Sequence, residues 1–81
     1  MKLPRGLSGA DLVKALSRVG YEVTRQTGSH VRLTHPGSPN HHVTVPEHRE
    51  LATGTLAAIL GDVAQHLSIG RSELLERLFG A

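Results

Sequence analysis

Tyr21-Glu22-Val23-Thr24-Arg25-Gln26-Thr27-Gly28-Ser29-His30-Val31-Arg32-Leu33-Thr34 is the stretch that decides the fold. Tyr21 and Val23 alternate with Glu22 and Thr24, and Val31 and Leu33 alternate with His30, Arg32 and Thr34. A period of two marks strands that bury one face. Between them lies a short Thr27-Gly28-Ser29 turn, whose glycine can take positive φ without steric cost. The stretch reads as a β-hairpin.

Working outward, Pro36-Gly37-Ser38-Pro39-Asn40 breaks the second strand. Val43 and Val45 then alternate with His42 and Thr44 up to Pro46, giving a third strand. Connections this short make an antiparallel meander. Before the hairpin, Ser8 and Asp11 form a capping-box pattern, with Asp in place of the usual Glu. Leu12, Val13, Leu16 and Val19 follow with helical spacing, and Gly20 is a natural stop. A helix over residues 9–19 is expected, with Asp11, Lys14 and Arg18 on its outer face.

Beyond the third strand, Leu56, Ile59, Leu60, Val63, Ala64 and Leu67 form an apolar stripe with Thr53 as its N-cap. Gly61 within it costs about 1 kcal/mol relative to alanine. A last helix over residues 71–79 presents Leu74, Leu75, Leu78 and Phe79. The fold class is α+β, order α-β-β-β-α-α, a three-stranded antiparallel sheet with helices on one face. The helices are expected to cover Tyr21, Val23, Val31, Leu33, Val43 and Val45.

Composition narrows the function. The 81 residues support one domain, 1–81. They include no cysteine, which removes disulfides and Cys-based zinc sites and fits a cytoplasmic protein. No apolar run approaches the roughly 20 residues of a membrane span, and Met1–Gly9 does not read as a signal peptide. The net charge is +2, unevenly spread: residues 1–35 hold six Lys and Arg against two acids, and residues 36–81 hold three against five. A basic half suits a phosphate backbone. It supplies Lys14, Arg18, Arg25 and Arg32 as candidate phosphate contacts.

The alternation assigns Glu22, Thr24, Gln26, His30, Arg32, Thr34, His42 and Thr44 to the uncovered sheet face, with Arg32 between Thr24 and Thr44. An imidazole and a guanidinium two residues apart on a strand point the same way. The imidazole can move a proton near neutral pH, and the guanidinium can hold a phosphate through paired hydrogen bonds. RNA strand cleavage needs both, a base for the 2′-hydroxyl proton and a cation for the charge on phosphorus. Tyr21 and Phe79 are the only aromatics among Phe, Tyr and Trp, and both fall on apolar faces. A base-stacking platform is therefore not expected.

Taken together, these stretches resemble the HicA-type (YcfA-like) toxins of bacterial type II toxin–antitoxin systems. The likeness rests on Ser8-Gly9-Ala10-Asp11-Leu12-Val13-Lys14-Ala15-Leu16, Gly20-Tyr21-Glu22-Val23, Gln26-Thr27-Gly28-Ser29-His30-Val31-Arg32-Leu33, His42-Val43-Thr44-Val45-Pro46, and Glu50-Leu51-Ala52-Thr53-Gly54-Thr55-Leu56 with Ile59-Leu60. Their order and spacing carry it, across roughly residues 3–60. The resemblance implies a fold like a double-stranded-RNA-binding domain. It also implies an mRNA interferase that cleaves mRNA without a metal or small-molecule cofactor and is neutralised by a HicB-type antitoxin. Its catalytic histidine corresponds to His30, with Gly28 and Ser29 completing the Gly-Ser-His motif. The chain departs from the family where residues 62–68 add about one helical turn before the last helix.

Beside the resemblance, the face argument makes Arg32 the candidate for phosphate stabilisation and His42 a candidate second proton carrier. Gly28 is read as a turn former and Ser29 as a turn hydrogen-bonder. Five histidines lie between His30 and His48, so a zinc or nickel site is a competing reading. Strand alternation sets His41 against His42, and His30 against His35, on opposite faces, so no metal is expected. His66 is read as a surface residue near a helix end, and His48 as a loop residue. The alternative from another class is a non-catalytic RNA- or partner-binding module on the same fold.

Overall fold

The computed structural model describes residues 3–37 and 39–80; Ser38, in the expected break after the second strand, lies outside them. Helix α1, Gly9–Leu16, starts from the expected capping box, in which Ser8 and Asp11 satisfy each other's backbone N–H groups. It tightens into a 3₁₀ turn, Ser17–Val19, and ends at Gly20, whose φ of 95° needs glycine. Strands β1, Glu22–Thr27, β2, His30–His35, and β3, His41–Pro46, form an antiparallel sheet in sequence order. Helices α2, Thr53–Leu67, and α3, Arg71–Phe79, complete the expected order α-β-β-β-α-α.

The core lies between one sheet face and the helices. Tyr21, Val31, Leu33, Val43 and Val45 face Leu12, Leu16, Leu56, Leu60, Val63, Leu74 and Leu78, all buried in one cluster. The apolar face expected for these strands is thus observed for β2 and β3, and for Tyr21 just before β1.

Strand β1 departs from the expected register. Val23 pairs with Leu33, but Arg25, not Thr24, pairs with Arg32. A β-bulge around Thr24 adds one residue to β1 and reverses which residues point outward beyond it. Gln26 therefore lies opposite Val31 on the helix side, and Arg25 and Thr27 take the outer face. Val23 was expected to be covered and is 50% exposed. It lies on the correct face, but the helices rest mainly on β3 and leave the β1 edge uncovered.

Helix α2 differs from expectation at its start. Its N-cap is Ala52 in extended conformation, with no side-chain cap, and Thr53 is already the first helical residue. Gly61 has a packing reason: Arg71 crosses the helix there, its Nη2 3.4 Å from where a Cβ would lie, and donates to the Ala57 carbonyl. The extra turn at residues 62–68 extends α2 to Leu67, and Ser68 closes it in the left-handed region at φ 57°.

Candidate active site

The Gly-Ser-His motif forms the tip of the β1–β2 hairpin. Thr27 pairs with His30, so Gly28 and Ser29 are the two turn residues. Gly28 has a φ of 56° at the first central position, as a type II′ turn requires, matching the strand twist. His30 begins β2 between Thr27 and Pro46, exposed and on the outer face.

The next outward row of the sheet is Arg25, Arg32 and Thr44. Both guanidiniums are exposed, and neither has an ion pair or hydrogen bond among the described residues. Like charges directly opposite each other destabilise an antiparallel pair. The bulge thus sets two uncompensated cations one row from His30, about 7 Å along the strand. Sequence reasoning named both arginines but did not pair them.

The following row is a hydroxyl–imidazole chain. Thr24 Oγ1 lies 2.8 Å from Thr34 Oγ1, and Thr34 Oγ1 lies 2.8 Å from His42 Nδ1. His42 is thereby four residues along the sheet from His30, about 13 Å away with the Arg32 row between. That spacing removes it as a second proton carrier at the same phosphate.

Lys14 and Arg18 are not brought to this face. Helix α1 packs on the opposite side of the sheet, where both residues, with Leu7, Asp11, Ala15, Leu78 and Phe79, line a cleft of about 240 Å³ against α3. Arg18 Nη1 donates to the Leu78 carbonyl at 3.0 Å, tying the 3₁₀ turn after α1 to the C-terminal end of α3.

Two features escaped the sequence. One is the support of the turn: the Glu47 N–H donates to the Ser29 carbonyl at 2.6 Å, and Gln26 Nε2 donates to Glu47 Oε2 at 2.9 Å. The other is a histidine cluster at the far end of the sheet. There His35 and His41 pair across β2 and β3, and His66 reaches them from the last turn of α2. His66 is half-buried and stacks on His41 with ring centroids 4.4 Å apart, a correction to its reading as a surface residue. Its Nε2 lies 3.3 Å from His35 Nδ1.

His41 bridges helix and sheet through both of its ring nitrogens. Asp62 Oδ1, 3.1 Å from His41 Nε2, can only accept as a carboxylate, so Nε2 carries the proton. Nδ1 lies 2.6 Å from the Tyr21 hydroxyl, within hydrogen-bond distance. Burial, and next the Asp62 charge, push the Tyr21 phenol up to about 12, so it remains a donor throughout the neutral range. Burial, with His41 and His35 alongside, holds His66 below the usual imidazole range, and Asp62 opposes the shift. Among the described residues no three His, Asp or Glu side chains are arranged to hold a metal ion.

Against known proteins, residues 9–64 match the sequence model described as the HicA toxin of bacterial toxin–antitoxin systems. The chain belongs to the HicA toxin family. No curated protein and no solved structure is a significant match. The HicA match runs from the first residue of α1 into α2 and includes Gly28, Ser29 and His30. It ends before His66, so the histidine cluster is completed by a residue beyond the HicA match. Membership gives the chain a family-level role as the toxin of a toxin–antitoxin pair. No helix among the described residues is long and apolar enough to cross a membrane.

Proposed function

We propose that this HicA-family chain is an mRNA interferase: a cytoplasmic, metal-independent endoribonuclease that cleaves mRNA with His30 and is neutralised by a HicB-type antitoxin. The observation that carries the reading is the adjacency of His30 to the uncompensated Arg25–Arg32 pair on one exposed sheet face. His30 takes the proton of a ribose 2′-hydroxyl. The 2′-oxygen then attacks its own phosphorus and displaces the 5′-oxygen of the next nucleotide, which takes its proton from solvent water, while His30 returns its proton to solvent. The arginines hold the phosphates on either side in place and offset their charge. The products are a 2′,3′-cyclic phosphate and a 5′-hydroxyl end.

Gly28 supplies the turn that projects His30, and Ser29 supplies the carbonyl by which that turn is held. Lys14 and Arg18, on the other side of the sheet, would meet RNA only where the strand wraps around the domain; Arg32 and Arg25 are the phosphate contacts of the site itself.

The test is cleavage of a mixed-sequence single-stranded RNA in excess EDTA by the wild type and by His30→Ala, purified alike. The wild type is expected to cut, leaving 5′-hydroxyl ends, and the variant to lose at least about 100-fold of the rate, the lower end of what positioned acid–base groups contribute. Equal cleavage by both proteins would remove His30 from the chemistry. RNA binding without cleavage by either would favour the non-catalytic module.

A further inference from the structure

The turn bearing His30 has little to hold it. It caps the β1–β2 hairpin, whose outer strand, β1, has all six residues exposed. Its first turn residue is glycine, the residue with most backbone freedom, and nothing packs within 4 Å of where a Gly28 Cβ would lie. Beyond the pairing of β2 with β3 up to His30 and Pro46, the turn is anchored by the loop after β3. The Glu47 N–H reaches the Ser29 carbonyl at 2.6 Å, and the Glu47 carboxylate accepts from Gln26 Nε2 at 2.9 Å. One residue therefore grips the hairpin twice, at its tip and on β1.

That loop is itself latched to the start of α1. The Gly9 N–H donates to the His48 carbonyl at 2.9 Å, and the Leu51 N–H to the Leu7 carbonyl at 2.7 Å. Gly9 is the residue that lets them approach. A Cβ there would collide with the Pro46 carbonyl oxygen and lie 2.9 Å from the Glu47 Cα. The Ser8-Gly9 pair at the head of α1 and the Gly28-Ser29-His30 turn, distant in sequence, are thus joined through Pro46, Glu47 and His48. Gln26 lies on the helix side of β1, so the grip comes from behind the sheet and leaves the outer face clear.

We infer that Glu47 is a positioning residue for His30, holding the hairpin tip through Ser29 and Gln26 on a loop seated against Gly9. The inference rests on the reading of His30 as the reacting group. A displacement of about 1 Å at such a group costs on the order of 100-fold in rate. Glu47→Ala keeps the backbone N–H and removes the tie to Gln26, so the expected loss is about 10- to 100-fold in kcat, with KM changed less than about 2-fold. Glu47→Gln restores most of the rate, because its carboxamide oxygen still accepts from Gln26. Gln26→Ala matches Glu47→Ala, and the double variant loses little more.

The experiment measures kcat and KM on a short single-stranded RNA for these variants, with NMR of the His30 ring and the Ser29 amide and a thermal melt of each. Support is a fall in kcat and altered Ser29 and His30 signals at unchanged melting temperature, rescued in Glu47→Gln. A Glu47→Ala protein with wild-type kcat and unmoved Ser29 and His30 signals would overturn the positioning role and leave the ribonuclease reading standing. A wild type that cuts no RNA, while Glu47→Ala still moves the His30 ring signals, would overturn the ribonuclease reading and leave the grip standing.

Discussion

Arg25 and Arg32 are a conflict retained at the scale of single residues. Two guanidiniums opposed across an antiparallel pair cost about 0.2–1 kcal/mol relative to a neutral pair. No acid is hydrogen-bonded to either among the described residues to offset that cost. An anionic ligand would. Arg25→Gln is therefore expected to raise the melting temperature by roughly 1–5 °C at low salt while weakening single-stranded RNA binding. The salt dependence of RNA affinity should flatten by about 0.7 in log–log slope, one phosphate contact fewer. Unchanged affinity and slope in a salt titration would dissociate Arg25 from the ligand. The pairing was hidden in the sequence for a physical reason. After Val23 the strand reads Thr24-Arg25-Gln26-Thr27, with no apolar residue to mark a face, so alternation cannot reveal a bulge. The Gly28-Ser29-His30 turn was legible because its glycine lies between the Tyr21/Val23 and the Val31/Leu33 alternations, which need a turn to join them.

At the scale of elements, the last turn of α2 joins helix to sheet through titratable groups. His66 and Asp62 from α2 meet His35 at the end of β2, His41 at the start of β3 and Tyr21 before β1. The helix itself was legible from its apolar stripe. The cluster was not, since His66 and His35 are 31 residues apart and nothing in either local pattern signals the other. Its pH response follows from His66. The folded state holds this imidazole below its ordinary 6.5, so the unfolded chain takes up the proton first as pH falls. The stability that neutral His66 confers is fully present above pH 6.5. It is lost progressively as pH falls through 6.5 toward the lowered folded value. A second proton on the His35–His66 contact would also turn a hydrogen bond into opposed N–H groups. Melting temperatures taken from pH 7.5 to 5.5 should fall more steeply for the wild type than for His66→Gln. Parallel curves would mean that the cluster does not report on protonation.

At the scale of the whole molecule, the outer sheet face carries an excess of cations, whereas the helix side is balanced, with Lys14, Arg18, Arg71 and Arg77 against its four acids. The outer sheet face carries His30, Arg25 and Arg32, with Glu22 a row or more away from the arginines. Those acids, Asp11, Asp62, Glu73 and Glu76, also belong to the helices behind the sheet. A toxin of a toxin–antitoxin pair must be silenced by its partner, and the most economical way is to occupy the face that meets RNA. Whatever covers that face must offset two opposed guanidiniums, which a protein does with carboxylates that stand in for phosphates. The HicB-type antitoxin is therefore expected to present an acidic surface to the Arg25–Arg32 row. Arg32→Glu sets a like charge against that surface and should weaken the complex by about 10-fold or more, with most of the loss disappearing in high salt. Arg77→Glu, on exposed α3 behind the sheet, is the matched control, since it makes the same change in net charge and should leave affinity within about 2-fold. Equal loss in both variants would assign the effect to net charge, and no loss in Arg32→Glu would take the sheet face out of the interface. In the expected case, where only Arg32→Glu weakens binding and salt removes the difference, the row of charge proposed to meet RNA is also the row that the antitoxin neutralises.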